Sequence, residues 1–227
     1  MYDRVVTAET SLRPTAFGRR SSKQIADPII EPLWRGERVL AVIDRGRLTL
    51  RDDDGAERTT EEGLLAELAA ALTTESAVLD GYLTYQATQP SRTLLVGSEV
   101  PTAGQMASQI LVGRGLKSRA MRPLEQAEAK LAKPPDHPLA FVAVDLLELD
   151  GQSLFDIPLL ERKRLLESVL TEGELVRRST FVRPPVDPWL ASWRSMGFLE
   201  LAYKAANGRY APGERNEDWA IARIPTA

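Results

Sequence analysis

The chain contains no cysteine, so disulfides, thiolate metal sites and cysteine nucleophiles are excluded. It has one histidine, His137, too few to anchor a histidine-based metal cluster. No stretch approaches the roughly 20 apolar residues of a membrane helix, and the opening Met-Tyr-Asp-Arg has no apolar signal core. No membrane contact and a cytoplasmic address are therefore expected. Lysine is scarce as well: of 29 basic residues, only those at 23, 117, 130, 133, 163 and 204 are lysine. Chemistry that needs an amine has few donors to draw on. A net charge of −3 and a pI near 5.4 give no global electrostatic reason to bind nucleic acid, so any such contact must be local.

What is present suffices for a folded protein. With 227 residues, 43% hydrophobic and 27% charged, the chain can bury the core of one elaborate domain or two small ones. Residues 1–27 are polar and interrupted, and read as an arm or irregular lead-in, with the main domain over 28–227. Val39–Asp44 and Arg47–Arg51 are strand-like runs joined by Arg45-Gly46, which predicts a tight hairpin. Thr60 is a candidate cap for a helix from Glu61 to about Leu72, with leucines at 64, 65, 68 and 72 on one face. Ala77–Gln86 gives strand signal broken by Asp80-Gly81, and Arg92–Val96 is a further short run.

Residues 91–135 read as a candidate insertion. Within 101–135 lie an amphipathic stretch near Gln105–Leu111, a basic patch (Arg114, Lys117, Arg119, Arg122) and an Ala/Glu/Lys helix over 123–133. A solvated face, a dimer contact and a nucleic-acid contact all fit this segment. Leu139–Leu149 predicts a buried strand, Pro158 starts a helix running through Leu170, and Glu174–Val182 reads as a strand. A short helix around Pro188–Met196 and strands over Phe198–Ala205 and Trp219–Ile224 complete the chain. Strands with scattered helices, lacking regular βαβ alternation, predict an α+β fold with mainly antiparallel sheets.

Residues Glu31–Arg38 read Glu-Pro-Leu-Trp-Arg-Gly-Glu-Arg. This resembles the nucleophile segment Glu-x-Lys-x-Asp-Gly-x-Arg of the ATP-dependent DNA ligase and capping-enzyme superfamily, with Leu33 at the lysine position and Arg35 at the aspartate position. Four further segments match that family in order and, with the first, span about residues 31–223. Ala77–Tyr82 resembles its Leu-Asp-Gly-Glu motif, with Tyr82 for the glutamate. Phe141–Gly151 and Leu154–Leu166 keep Asp145, Leu147, Gly151, Pro158, Leu159 and Arg162, while Val144 replaces the aromatic residue that stacks on adenine. Gly197–Lys204 resembles Gly-x-Glu-Gly-x-x-x-Lys, with Leu199 for the metal-associated glutamate and Lys204 kept. Tyr210-x-Pro-Gly-x-Arg215 and Asp218-Trp219 follow, and the family's two phosphate-binding lysines correspond to Ile221 and Arg223. Asp53 falls where the family usually carries a turn arginine.

The resemblance implies a ligase-type nucleotidyltransferase (ATP-grasp-like) fold, two antiparallel sheets flanked by helices. It also implies an oligonucleotide-binding barrel after the last strand; only Pro225-Thr-Ala227 remain here, so a domain without that barrel is expected. In-line nucleotidyl transfer needs an amine nucleophile, a carboxylate-held magnesium and cations on the triphosphate. Leu33 has no lone pair with which to attack phosphorus. Leu33, Arg35, Tyr82, Val144, Leu199 and Ile221 are degenerate family positions, and the sequence offers no catalytic residue and no metal site. Glu31, Arg38, Lys204 and Arg223 remain as candidate nucleotide- or anion-binding groups. ATP and Mg2+ are cofactors only if residual binding survives, and the candidate partners are a protein or nucleic acid. The expectation is an inactive ligase-like domain kept for binding; the alternative is an active nucleotidyltransferase that uses a relocated lysine, Lys204 or Lys23. Trp34, Trp189, Trp193 and Trp219 are expected in packing, Arg35 in an anion clamp or an ion pair with Glu31 or Glu37, and Tyr82 and Leu199 as fillers of a site no longer open to metal.

Overall fold

The computed structural model describes residues 12–89 and 137–225. In chain order, β1 (Ala16–Phe17) and a 3-10 turn (Ser22–Gln24) lead into β2 (Pro28–Pro32). They are followed by β3 (Glu37–Asp44), β4 (Arg47–Arg51), β5 (Glu57–Arg58), α1 (Glu62–Ala71) and β6 (Ser76–Thr84). Then come β7 (Ala140–Leu149), β8 (Gln152–Ser153), α2 (Leu159–Val169), β9 (Val176–Arg178), α3 (Asp187–Ser195), β10 (Glu200–Ala205), β11 (Arg215–Asn216) and β12 (Trp219–Arg223).

Two antiparallel sheets carry the fold, as the sequence predicts. The larger has the order β5-β4-β3-β6-β7-β8, with β9 added parallel to β7; the smaller has the order β12-β10-β2. A two-residue parallel pair, β1 with β11, stands apart. The β3–β4 hairpin turns through Arg45 and Gly46, both at positive φ (49° and 80°), the conformation that two-residue hairpin loops require.

One face of the large sheet presents Val39, Ala41, Ile43, Leu79, Phe141 and Ala143 to Leu64 and Leu68 of α1 and Leu166 of α2, making an apolar core. The opposite face is mixed. Its Leu40, Val42, Val78 and Leu147 pack with Tyr210 and Trp219. Its Val142 and Val144 pack with Ile30, Trp34, Phe198 and Leu201. Among the described residues no helix is long and apolar enough to cross a membrane.

Several local expectations are corrected. Helix α1 begins at Glu62 with Glu61 as its cap residue and no side-chain capping bond, so Thr60 is not the cap. Asp80-Gly81 does not break its strand: β6 runs through both, with only a shift of register against β7. The turn-forming pair is tolerated because the buried Asp80 carboxylate has a cationic partner and Gly81 gives room for the Phe141 ring. Beyond Arg178 the expected strand to Val182 survives only as a bridge from Val182 to Ile30. The lead-in is not irregular throughout, because Thr15 is fully buried and β1 pairs with β11. Arg92–Val96, the 101–135 segment and its basic patch lie outside the described residues.

A Cβ on Gly81 would meet the Phe141 ring at 2.4 Å and the Val142 carbonyl oxygen at 2.7 Å. Gly81→Ala is expected to destabilise the protein by about 1–3 kcal/mol through overpacking. The check is a lower denaturant midpoint with an unchanged slope; an unchanged midpoint would mean that Phe141 yields at no cost.

Candidate functional site

Between the sheets lies a layer of buried charge. Asp80 on β6 and Asp145 on β7 stand opposite each other in the strand register, and neither is exposed. Two carboxylates so placed repel unless each is answered. The β3–β6 register sets Arg38 against Tyr82 and Leu40 against Asp80, which puts Arg38 and Asp80 diagonally on one face. Arg38 donates to Asp80 through Nε to Oδ1 at 2.9 Å and Nη2 to Oδ2 at 2.6 Å. Arg162, from the first turn of α2, grips Asp145 in the same two-pronged way at 2.9 and 2.7 Å. Its remaining nitrogen donates to the carbonyls of Ile157 and Gly208.

Tyr210 ties the two pairs together. Its hydroxyl donates to Asp80 Oδ2 at 2.9 Å and accepts from the Thr15 amide at 3.0 Å, and the Arg162 guanidinium lies 5.8 Å from its ring centroid. Arg38 also donates to the Thr15 carbonyl. Burial alone would depress the Arg38 guanidinium, but Asp80 more than reverses that and holds it above its ordinary value. Burial, reinforced by Asp80, raises the phenols of both Tyr210 and Tyr82, the latter to about 12.

Glu31, at the end of β2, forms a second buried cluster. Its carboxylate pairs with Lys163 of α2 and, at 3.2 Å, with Lys204 of β10, whose Nζ lies 4.3 Å from the Trp219 ring centroid. The β2–β10 register, with Glu31 opposite Ala202 and Ile29 opposite Lys204, puts the two groups diagonally on one face. Burial would raise the Glu31 carboxyl, yet the two ammonium groups outweigh it and hold the group below its usual range. Burial pushes Lys204 down, Glu31 partly opposes this, and Lys163 adds to it.

Glu31, Leu33, Arg38, Tyr82, Val144 and Lys204, all singled out in the sequence, come together with Phe17, Trp34 and Trp219 around one cavity. That cavity holds about 10 Å³, room for about one water molecule, whereas small-molecule sites run to roughly 300–1,000 Å³. Arg35, Leu199, Ile221 and Arg223 do not line it. Arg35 is exposed, with its amide donating to Gln86, so it clamps neither Glu31 nor Glu37; the latter pairs with Arg58 at 2.7 Å. Leu199 is 55% exposed and fills nothing, which corrects that expectation, whereas Tyr82 is a lining residue. Ile221 (41%) and Arg223 face solvent on the edge strand β12. Trp34, Trp193 and Trp219 are buried as expected, whereas Trp189 is 44% exposed, stacked on Trp193. Lys163, Thr15 and Phe17 are participants that the sequence did not single out. Lys163 was concealed in a charged run that reads as a solvated helix face.

The described residues do not fit a catalytic metal. The positions that resemble two family carboxylates hold Tyr82 and Leu199 by the motif reading, and the buried carboxylates Asp80, Asp145 and Glu31 are each already engaged by cations. Among the described residues no group of three His, Cys, Asp or Glu is placed to hold an ion.

A family profile described as ATP dependent DNA ligase domain matches residues 19–220. The multifunctional non-homologous end joining DNA repair protein LigD of Mycobacterium tuberculosis is 28% identical over 189 residues, 83% of this chain and 20% of that protein. A probable DNA ligase of Streptomyces coelicolor is 33% identical over 87 residues, 36% of this chain and 17% of that protein. Among solved structures, the ligase domain of M. tuberculosis LigD superposes with a TM-score of 0.61 at 24% identity, covering 93% of this chain and 59% of that one. A mycobacterial DNA ligase D complexed with ATP and MES gives 0.59 at 22%, covering 93% and 60%. The chain thus spans about a fifth of the LigD proteins it matches.

Glu31→Gln leaves two buried ammonium groups facing an amide, and a loss of about 3–5 kcal/mol is expected at neutral pH. Because the folded Glu31 carboxyl lies below its unfolded value, its stabilisation is present above about pH 4.5 and fades as pH falls through the folded value. Lys204, also depressed on folding, makes stability rise with pH up to its unfolded value near 10.5. In denaturation at stepped pH, the gap between wild type and Glu31→Gln should narrow on the acid side; a gap constant down to pH 3 contradicts the cluster.

Proposed function

The chain belongs to the ATP dependent DNA ligase domain family, and on that footing we propose that it is a catalytically inactive member, kept for binding rather than for nucleotidyl transfer. One observation carries this reading: the residues at the family's nucleotide position enclose about 10 Å³, with Leu33 where an amine should attack. Transfer chemistry of this kind relies on positioning and charge neutralisation, so it needs an open site with free cations. Arg38 and Lys204 both line the cavity, but Asp80 and Glu31 already hold their charge. The ligand class proposed is a protein or nucleic acid. Likeness to relatives named for non-homologous end joining supports proposing that role beside a DNA-joining activity.

A second reading keeps the enzyme, with Lys204 as a relocated nucleophile. In its favour, burial depresses this amine and the side chain lines the cavity. Against it, the nitrogen is held by Glu31 and lies over Trp219, leaving no space for a triphosphate.

Incubation with labelled ATP and magnesium should give no acid-labile protein–AMP adduct, and calorimetry with ATP should give no magnesium-dependent heat. Leu33→Lys should not restore the adduct, because the Tyr82 and Leu199 positions still lack carboxylates. An adduct in wild type that Lys204→Ala abolishes would replace the first reading with the second.

A further inference from the structure

The outer strand of a sheet leaves backbone groups unpaired, and this fold blunts several of its edges. On β9 the Glu67 carboxylate accepts from the Leu175 and Val176 amides at 2.7 and 3.1 Å, and Glu172 accepts from the Arg178 amide at 2.9 Å. β2 is bridged to Val182, with bonds in both directions between Val182 and Ile30. β5 and β8 are two residues long each.

β12, the outer strand of the small sheet, has no such device beyond its first residue. The Ala205 amide bonds the Asp218 carbonyl and the Ile224 amide bonds the Leu199 carbonyl, which sets the phase of the ladder. Ala220 and Ala222 therefore turn their backbone groups to β10, while Trp219, Ile221 and Arg223 turn theirs outward. Gly18 donates to the Trp219 carbonyl at 2.9 Å. Among the described residues, no backbone partner meets the outward amides and carbonyls of Ile221 and Arg223. Both residues are exposed, and their side chains share one face of β12. Arg223 makes no ion pair among the described residues, although Glu200 stands opposite it on β10.

We propose that the β12 edge accepts an extended segment of a protein partner as an added strand, with an apolar side chain beside Ile221 and a carboxylate beside Arg223. The outward backbone groups supply affinity and the two side chains supply selectivity. The proposal rests on the reading of this domain as one kept for binding, and it names a protein as the ligand. A second copy of the chain does not meet the requirement, because β12 has no carboxylate of its own to set beside Arg223.

The probe is a capped peptide, Thr-Glu-Thr-Val-Thr-Glu-Thr, which carries glutamate on both sides of valine at strand spacing and so fits in either chain direction. Added to the full chain, it should protect the Ile221 and Arg223 amides from hydrogen exchange and leave β3 and β6 unchanged. Ile221→Pro removes an outward N–H without removing a ladder bond, and should weaken the peptide about tenfold or more by calorimetry. Arg223→Glu, at an exposed position, should reverse the preference between this peptide and its counterpart with lysine for glutamate. Absence of binding to wild type, or binding that both variants leave unchanged, overturns the proposal. So does a concentration-dependent dimer that Ile221→Pro dissolves, which would make the occupant a second copy, or a single-stranded oligonucleotide that protects the same amides where the peptide does not. A protein–AMP adduct on wild type would bear on the inactive reading alone, since Ile221 and Arg223 do not line the cavity, so the two readings fail separately.

Discussion

The buried-charge layer around Tyr210 follows from setting Asp80 opposite Asp145 on neighbouring buried strands. Two uncompensated carboxylates there would cost several kcal/mol each, so both arginines must be in place before the strands can lie in this register. The arginines come from different elements, Arg38 from β3 and Arg162 from α2, and Tyr210, from the loop before β11, bonds one pair and packs on the other. One electrostatic requirement thereby fixes the β3–β6–β7 register, the seat of α2 and the approach of the loop that leads to β11 and β12. Buried ion pairs of this kind add little net stability over apolar packing; what they supply here is a unique arrangement. The stability comes from the apolar face that Leu64, Leu68 and Leu166 cover.

That division of labour explains which parts of the ligase-type motifs persist. Arg38, Asp80, Asp145 and Arg162 hold the fold, and all four are present. Gly36 belongs with them: it sits at φ 138°, and a Cβ there would come within 2.0 Å of the Leu83 carbonyl oxygen. By the motif resemblance, Leu33, Arg35, Tyr82 and Leu199 fall at positions whose family residues serve the reaction, and none of the four is an amine or a carboxylate. Glu31 and Lys204 are paired with each other. With Lys163 they make a closed charge cluster in which each lysine holds the carboxylate and the carboxylate holds both.

The architecture was legible in the sequence because alternating apolar runs, the Arg45-Gly46 turn and Pro158 at a helix start are local signals that burial then reinforces. Asp80-Gly81 misled, because a turn-forming dipeptide reads as a break until a partner such as Arg38 is known to sit diagonally across the ladder. At the site, Arg38, Lys204, Tyr82 and Val144 were identifiable through their motif positions. Arg223, Leu199 and Ile221 share those motifs but point to solvent, since motif membership fixes the strand and not the occupancy of the cleft. Lys163 and Thr15 could not be read locally: one lies in a charged helical run and the other in a polar lead-in, and only tertiary pairing over 132 and 195 residues of chain brings them to Glu31 and Tyr210.

The central claim is that a nucleotidyltransferase fold here persists with its nucleotide position filled by its own side chains. A crystal structure of the full chain grown with saturating ATP and magnesium tests it most directly. The account predicts Tyr82, Val144 and Phe17 in place around an unexpanded cavity, with Glu31 still bonded to Lys204 and Lys163. A purine seated beside Val144, with Lys204 turned from Glu31 toward a phosphate, would contradict it.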